Sequence, residues 1–139
     1  MKSVDITHIE KVMILQNVAL FSEFPTKDLS YLADIAHYIS IESGCYLFKE
    51  NESSDSLYIL LSGKVNMLKE GEVLYHIKKY ETAGTFGFFT REPRIFSALC
   101  VKPCRVIGFR STSFFDLIEQ RGHLAQYLLR YFLKSAAGK

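Results

Sequence analysis

The feature that most constrains this chain is a change of hydrophobic period. Up to about residue 40, and again beyond about residue 110, apolar residues recur at helical spacing; between them they come in short runs closed by turn residues. Tyr46-Leu47-Phe48 is the first run, followed by a polar turn cluster from Asn51 to Ser56. Leu57 to Leu61 is the second, Ser62-Gly63 a turn, and Lys64 to Lys69 a third run with partial alternation. Glu70-Gly71 predicts a two-residue hairpin into Glu72 to Ile77, and Ile95 to Val101 and Arg105 to Phe109 complete the series. About seven or eight short strands at roughly ten-residue spacing predict an antiparallel jelly roll or β-roll. The expected class is α+β, mainly β: that roll flanked by N-terminal and C-terminal helices.

The flanks supply the helices. Thr7-His8-Ile9-Glu10 has the spacing of a capping box, and Ile9, Val12, Met13 and Leu15 give the helix that follows an apolar side. Phe21 and Phe24 interrupt the pattern, and Pro25 opens a second helix in which Leu29, Leu32, Ala33, Ala36 and Ile39 recur. After the roll, Ser111 or Ser113 caps a helix running through Glu119, and Gly122 breaks it. Leu124, Tyr127, Leu128, Tyr131 and Phe132 then form a stripe that reads as core or lid. The expectation is a single domain over residues 1–139, with helices at about 5–40, the roll at about 44–110 and helices at about 112–134. Met1 at a helix lead-in fits a natural stand-alone start.

Composition removes several classes of function. With 17 basic residues against 15 acidic, the net charge is only +2, which gives no support for a nucleic-acid footprint. No apolar run approaches the ~18 residues of a membrane span, and Asp5 and Glu10 interrupt what would be a signal peptide, so a cytoplasmic location is expected. Cys45, Cys100 and Cys104 are odd in number and form no CxxC pair; reduced thiols are expected. His8, His37 and His123 fall in predicted helices and only His76 in the strand region, so a histidine-based metal site inside the roll has no ligand set. No G-x-S-x-G nucleophile motif is present. Neither a catalytic residue nor a metal ligand is expected.

One stretch stands apart, Gly84 to Ser97, which reads GTFGFFTREPRIFS. Glycines beside apolar strand residues mark places where backbone comes close to something else, and an arginine in apolar surroundings suits a planar or multi-oxygen anion. Local sequence alone reads as a hairpin loop with a surface arginine.

The order of elements, with these residues in these places, resembles the cyclic-nucleotide-binding domain family from about Lys11 to Lys134. VALFSEFPTKDLSYLADIA looks like the family's entry helices, Gly44 like its first turn glycine, and Phe48-Lys49-Glu50-Asn51 like its F-R-E-G corner. Asn51 in place of glycine is mild, since asparagine tolerates a left-handed backbone. Asp55-Ser56-Leu57-Tyr58 and Leu61-Ser62-Gly63-Lys64-Val65 match the next hairpin; Gly84-Thr85-Phe86-Gly87 and Pro93-Arg94 look like the two ends of the phosphate-binding cassette.

The resemblance implies a non-catalytic regulatory or sensor domain whose ligand is a cyclic nucleotide, cyclic AMP or cyclic GMP, or another small anion. The ligand-binding positions carried over are Gly84, Phe86, Gly87, Phe88, Arg94, Ser97 and Tyr131. In the family the arginine pairs with the cyclic phosphate, helix N–H groups close around it, a glutamate accepts the ribose 2′-hydroxyl, and a C-terminal helix acts as lid. Tyr127, Tyr131 or Phe132 would then stack on a base. Here Phe88 stands in the glutamate's place, and only Phe88 to Glu92 separate Gly87 from Pro93, about three residues fewer than the family spacing. Weak or altered nucleotide binding is therefore expected, with Glu92 a competitor for Arg94. The alternative is a degenerate module that binds no nucleotide and acts in protein–protein contact or dimerisation. Expected partners are the small ligand, a second copy through the terminal helices, or an effector protein or domain. Only Ser135 to Lys139 follow the last predicted helix, too few for a DNA-recognition helix, so no nucleic-acid partner is expected.

Overall fold

Thr7 caps the first helix as its spacing predicts. Its hydroxyl accepts from the Glu10 N–H at 3.1 Å, and the Glu10 carboxylate accepts from the Thr7 N–H at 2.9 Å. The computed structural model describes residues 2–3 and 6–138, so the expected helix start near residue 5, and Met1, lie outside the described residues. Helix α1 runs His8–Leu15 and α2 runs Thr26–Ile35, with a single 3-10 turn at Ala19–Phe21 between them.

The second helix is shorter than its period suggests. It stops at Ile35, and His37–Ile41 forms strand β2, preceded in the same sheet by β1 (Lys2–Ser3). Ile39 and His37 are therefore strand residues rather than helical ones. The reason is tertiary: every residue of β2 pairs antiparallel with β9 (Cys104–Arg110), a partner more than sixty positions away that no local window can see.

The remaining strands are β3 (Tyr46–Phe48), β4 (Ser56–Ser62), β5 (Val65–Lys69), β6 (Glu72–Ile77), β7 (Thr82–Ala83) and β8 (Ser97–Cys100). They make two antiparallel sheets, ordered β1-β2-β9-β4-β7 and β3-β8-β5-β6. The Glu70-Gly71 hairpin is as predicted, with φ of 51° and 84° at its two residues. Three helices complete the chain: α3 (Thr85–Thr90), α4 (Ser111–Gln120) and α5 (His123–Ala137). Helix α4 is not capped by Ser111 or Ser113. Arg110 is its N-cap without a side-chain bond, and Ser111 lies inside the helix, its N–H donating to the Asp55 carbonyl at 2.8 Å. Helix α5 continues past the expected end and takes in Ser135.

Strand alternation divides the core in two. Leu57, Ile59, Ile107 and Phe109 face the helices and join Leu15, Phe21, Leu32, Phe88, Phe114 and Leu124. Their neighbours Tyr58, Leu60 and Val106 point into the roll with Phe48, Val65, Met67 and Ala98. Both faces of β4 are thus buried, which is why it reads as a continuous apolar run rather than an alternating one. No helix among the described residues is long and apolar enough to cross a membrane.

Candidate functional site

The stretch from Gly84 is folded around two close approaches. Gly84 sits at φ 88°, ahead of α3, where a Cβ would collide with the Arg94 guanidinium. At Gly87 a Cβ would run into the Ser54 hydroxyl and the Glu92 carbonyl. Both glycines are therefore demanded by contact, as the sequence suggests. The Ser54 hydroxyl in turn donates to the Glu92 carbonyl at 2.6 Å, tying the far end of the stretch to the β3–β4 connection.

Local sequence alone reads this stretch as a hairpin with a surface arginine, and the structure differs on both counts. Residues Thr85–Thr90 are helical, ended by Arg91 at φ 65°, and Arg94 is only 4% exposed. Its backbone is pinned by the corner before β4: the Asn51 N–H donates to the Arg94 carbonyl at 2.8 Å, and the Arg94 N–H to the Glu52 carbonyl at 2.9 Å. Asn51 holds the left-handed φ of 69° that this corner requires.

The guanidinium lies on the Phe48 ring, 3.9 Å from its centroid. Nη1 donates to the Gly84 carbonyl at 3.1 Å and Nη2 to the Ser56 carbonyl. Nε is buried and donates to nothing among the described residues. Burial pulls the Arg94 pKa below its usual value, with Tyr58, Asp55 and Glu52 pulling it back; an arginine stays protonated throughout. Glu92 does not compete for this charge. Its side chain is exposed, and no carboxylate among the described residues forms an ion pair with Arg94.

Arg94 lines a cavity of about 150 Å³, together with Gly84, Phe86 and Gly87 of the cassette and with Phe48, Met67, Tyr75, Thr82, Thr85, Ile95 and Phe96. The Thr82 and Thr85 hydroxyls, 2.6 Å apart, are bonded to each other. Four of the seven positions expected at the site thus share one cavity. The other three do not line it. Phe88 is fully buried on the opposite side of α3, in ring contact with Phe89, Phe114 and Phe115, because that face of the helix packs on α4. It leaves the cavity open rather than filling it, and Phe89 goes with it, touching Phe132 of α5. Ser97 accepts the Glu50 N–H at 3.0 Å and so holds the Phe48–Asn51 corner. Tyr131 lines a neighbouring depression with Asn17, Val18 and Tyr80, which shares Tyr75 and Thr82 with the cavity.

Sequence reasoning did not single out Phe48, Met67, Tyr75, Thr82, Ile95 or Phe96 as cavity residues. Phe48 carried a signal, as the aromatic of the corner that precedes β4. Met67 and Tyr75 meet through the register of β5 with β6, Ile95 and Phe96 lead into β8 on the other side of β5, and Thr82 comes from the second sheet, where β7 pairs with β4.

Comparison with known proteins places this geometry. The family model described as "Cyclic nucleotide-binding domain" matches residues 38–121. Among solved structures, the N-terminal domain of a transcriptional regulator from Streptomyces coelicolor superposes with a TM-score of 0.81 at 19% identity, covering 90% of this chain and 93% of that one. A Ruegeria pomeroyi protein proposed to bind a cyclic nucleotide gives 0.81 at 21% identity, over 96% of this chain and 61% of that one. The sensor domain of the transcriptional regulator DNR from Pseudomonas aeruginosa gives 0.74 at 20% identity, over 95% and 94%. At these identities the structural likeness is one of fold, and this chain spans about three fifths of the Ruegeria protein's length.

Proposed function

The chain belongs to the cyclic nucleotide-binding domain family, and from that premise we propose that it is a non-catalytic sensor domain that takes a small anion at Arg94 and binds cyclic nucleotides weakly or in altered form. One observation carries the reading. Arg94 is a buried charge on a cavity wall, with no carboxylate partner among the described residues and with Nε unbonded. A buried charge without an ion-pair contact is costly even with Asp55 and Glu52 acting on it from a distance, and an anion in the cavity would offset that cost.

The weakening follows from the other walls. No Asp or Glu among the described residues lines the cavity, so a ribose hydroxyl finds no carboxylate acceptor among them. The missing bond is worth about 1.5–3 kcal/mol, or roughly tenfold to a hundredfold in affinity. Occupancy also has a route outward. Gly84, Phe86 and Gly87 touch the cavity from one side of α3, while Phe88 and Phe89 on its other side meet Phe114, Phe115 and Phe132. A small tilt of α3 would be transmitted to α4 and α5 through packed rings, the kind of contact that does not deform without rearranging.

Isothermal titration with cyclic AMP and cyclic GMP tests the proposal. Binding in the high-micromolar range that disappears in Arg94→Ala is expected. At a ligand concentration 100 times Kd, stabilisation should be about 2.7 kcal/mol. The second reading, a module that keeps the fold and binds nothing, is favoured by the two backbone carbonyls and the Phe48 ring that already engage the guanidinium. Arg94 is then a brace between α3 and β4. Neither heat nor a melting shift at millimolar cyclic nucleotide or other anion would leave that reading standing alone.

A further inference from the structure

We propose that the cavity beside Arg94 is selective for a small aromatic monocarboxylate, a single ring bearing one anionic group, over a whole cyclic nucleotide. This rests on the sensor reading above and names the ligand class of the same site.

Size sets the first limit. The cavity measures about 150 Å³, and an apolar cavity of about that volume is filled by one benzene ring. A cyclic nucleotide carries a purine, a ribose and a fused phosphate ring, and only one of the three would fit behind the cavity mouth. Phe86, Tyr75 and Ile95, 54%, 47% and 42% exposed, are the most open residues of the lining, so the remainder of a larger ligand would lie outside the cavity, toward the depression that shares Tyr75 and Thr82.

Chemistry sets the second. Phe48, Met67, Tyr75, Phe86, Ile95 and Phe96 supply aromatic and thioether surface, which favours edge and face contacts with another ring. Tyr75 and Phe96 already meet edge to face, with centroids 6.3 Å apart, so the wall is organised for ring packing. Three hydroxyls line the cavity: those of Thr82 and Thr85 are bonded to each other and that of Tyr75 is carried on an aromatic ring, and no carboxylate among the described residues is there to accept from a sugar. The wall therefore offers a sugar neutral hydroxyls and no charged acceptor, so a polyhydroxylated ligand gains no charge-assisted bond from its hydroxyls there. Arg94 is the one charged group among the described residues of the lining, and beyond the Gly84 and Ser56 carbonyls each Nη keeps a second N–H that a carboxylate can accept. One positive group in an apolar cup calls for one negative group on an apolar body.

Isothermal titration and 1H–15N chemical-shift mapping on the whole chain, using benzoate, phenylacetate, benzyl alcohol, inorganic phosphate and cyclic AMP, test this. The expected result is that benzoate or phenylacetate binds at least tenfold more tightly than cyclic AMP and phosphate, shifting Thr82–Gly87 and Arg94–Phe96. Benzyl alcohol should bind at least tenfold more weakly than the acids. Binding of the acids should be lost in Arg94→Ala. Should that variant unfold, Ile95→Trp, which narrows the mouth without touching the Arg94 bonds, should weaken the acids at least tenfold with the melting temperature unchanged. Binding of cyclic AMP without the aromatic acids overturns this inference and leaves the sensor reading intact. Binding of phosphate or benzyl alcohol as tightly as the acids overturns it as well. No binding by any of the five overturns this inference, and if cyclic GMP is silent as well the sensor reading falls with it.

Discussion

The two sides of helix α3 are built on opposite terms. On one side Phe88 is fully buried and Phe89 half-buried, in contact with the rings of Phe114, Phe115 and Phe132, and the exposed edge of Phe132 and the Arg91 guanidinium over Phe115 rim the cluster. On the other side Phe86 stands 54% exposed over a cavity whose one charged wall among the described residues is an arginine with an unbonded Nε. One six-residue helix thus separates a closed aromatic cluster from an open, under-satisfied surface. The closed side is what a fold needs. The open side is costly to stability and is the kind of surface that a ligand completes.

The sharpest way to break this contrast is to damage the closed side. Phe88→Ala removes a fully buried ring from a cluster of aromatic neighbours, and large-to-small changes of this type cost about 3–5 kcal/mol. Urea unfolding followed by circular dichroism should show that loss as a lower midpoint with little change in slope. A loss below about 1 kcal/mol would mean that Phe88 belongs to the ligand side after all, as its place in the family pattern suggests.

Phe88 also shows where legibility ran out. The roll was readable because turn residues and apolar runs are local signals: the Glu70-Gly71 hairpin, the Thr7 capping box and the β6 limits all sit where the sequence puts them. Gly84, Gly87 and Arg94 were readable as places of close approach for the same reason. The direction of Phe88 was not. A residue in a short helix faces whichever side the tertiary packing buries, and only the position of α4 decides it. His37 and Ile39 were misread on like grounds, because helical spacing continues into β2 and only pairing with β9 overrides it. Glu92 shows the limit of proximity in sequence. Two residues from Arg94, it turns its side chain to solvent while its carbonyl takes the Ser54 hydroxyl.

A smaller effect is expected where the helical layer is tied by polar contact. Asp28, 5% exposed at the start of α2, accepts the Tyr127 hydroxyl at 2.8 Å and lies 3.7 Å from His123 Nε2, both on α5. Asp28→Ala removes a charged acceptor and leaves that hydroxyl without its partner, at a cost of about 1.5–3 kcal/mol. Hydrogen exchange should speed up along α5 while Thr82–Gly87 keeps its protection. Equal acceleration in both would show that the cavity and the helical layer open as one unit, and the contrast between the two sides of α3 would lose its mechanical meaning.

The smallest expected change tests the frame that holds Arg94. Asn51 keeps a left-handed φ of 69° and donates its N–H to the Arg94 carbonyl. Asn51→Gly relaxes that backbone but adds freedom to the unfolded chain; the two effects oppose, and stability should move by no more than about 0.5 kcal/mol. Asn51→Val retains the bond and places a β-branched residue at positive φ, which should cost about 1–2 kcal/mol. If the corner serves only to present Arg94, the glycine variant binds anions as the parent does. The valine variant loses affinity roughly in step with stability. Loss of affinity in the glycine variant alone would instead assign the Asn51 side chain a direct part in the open side of the cassette.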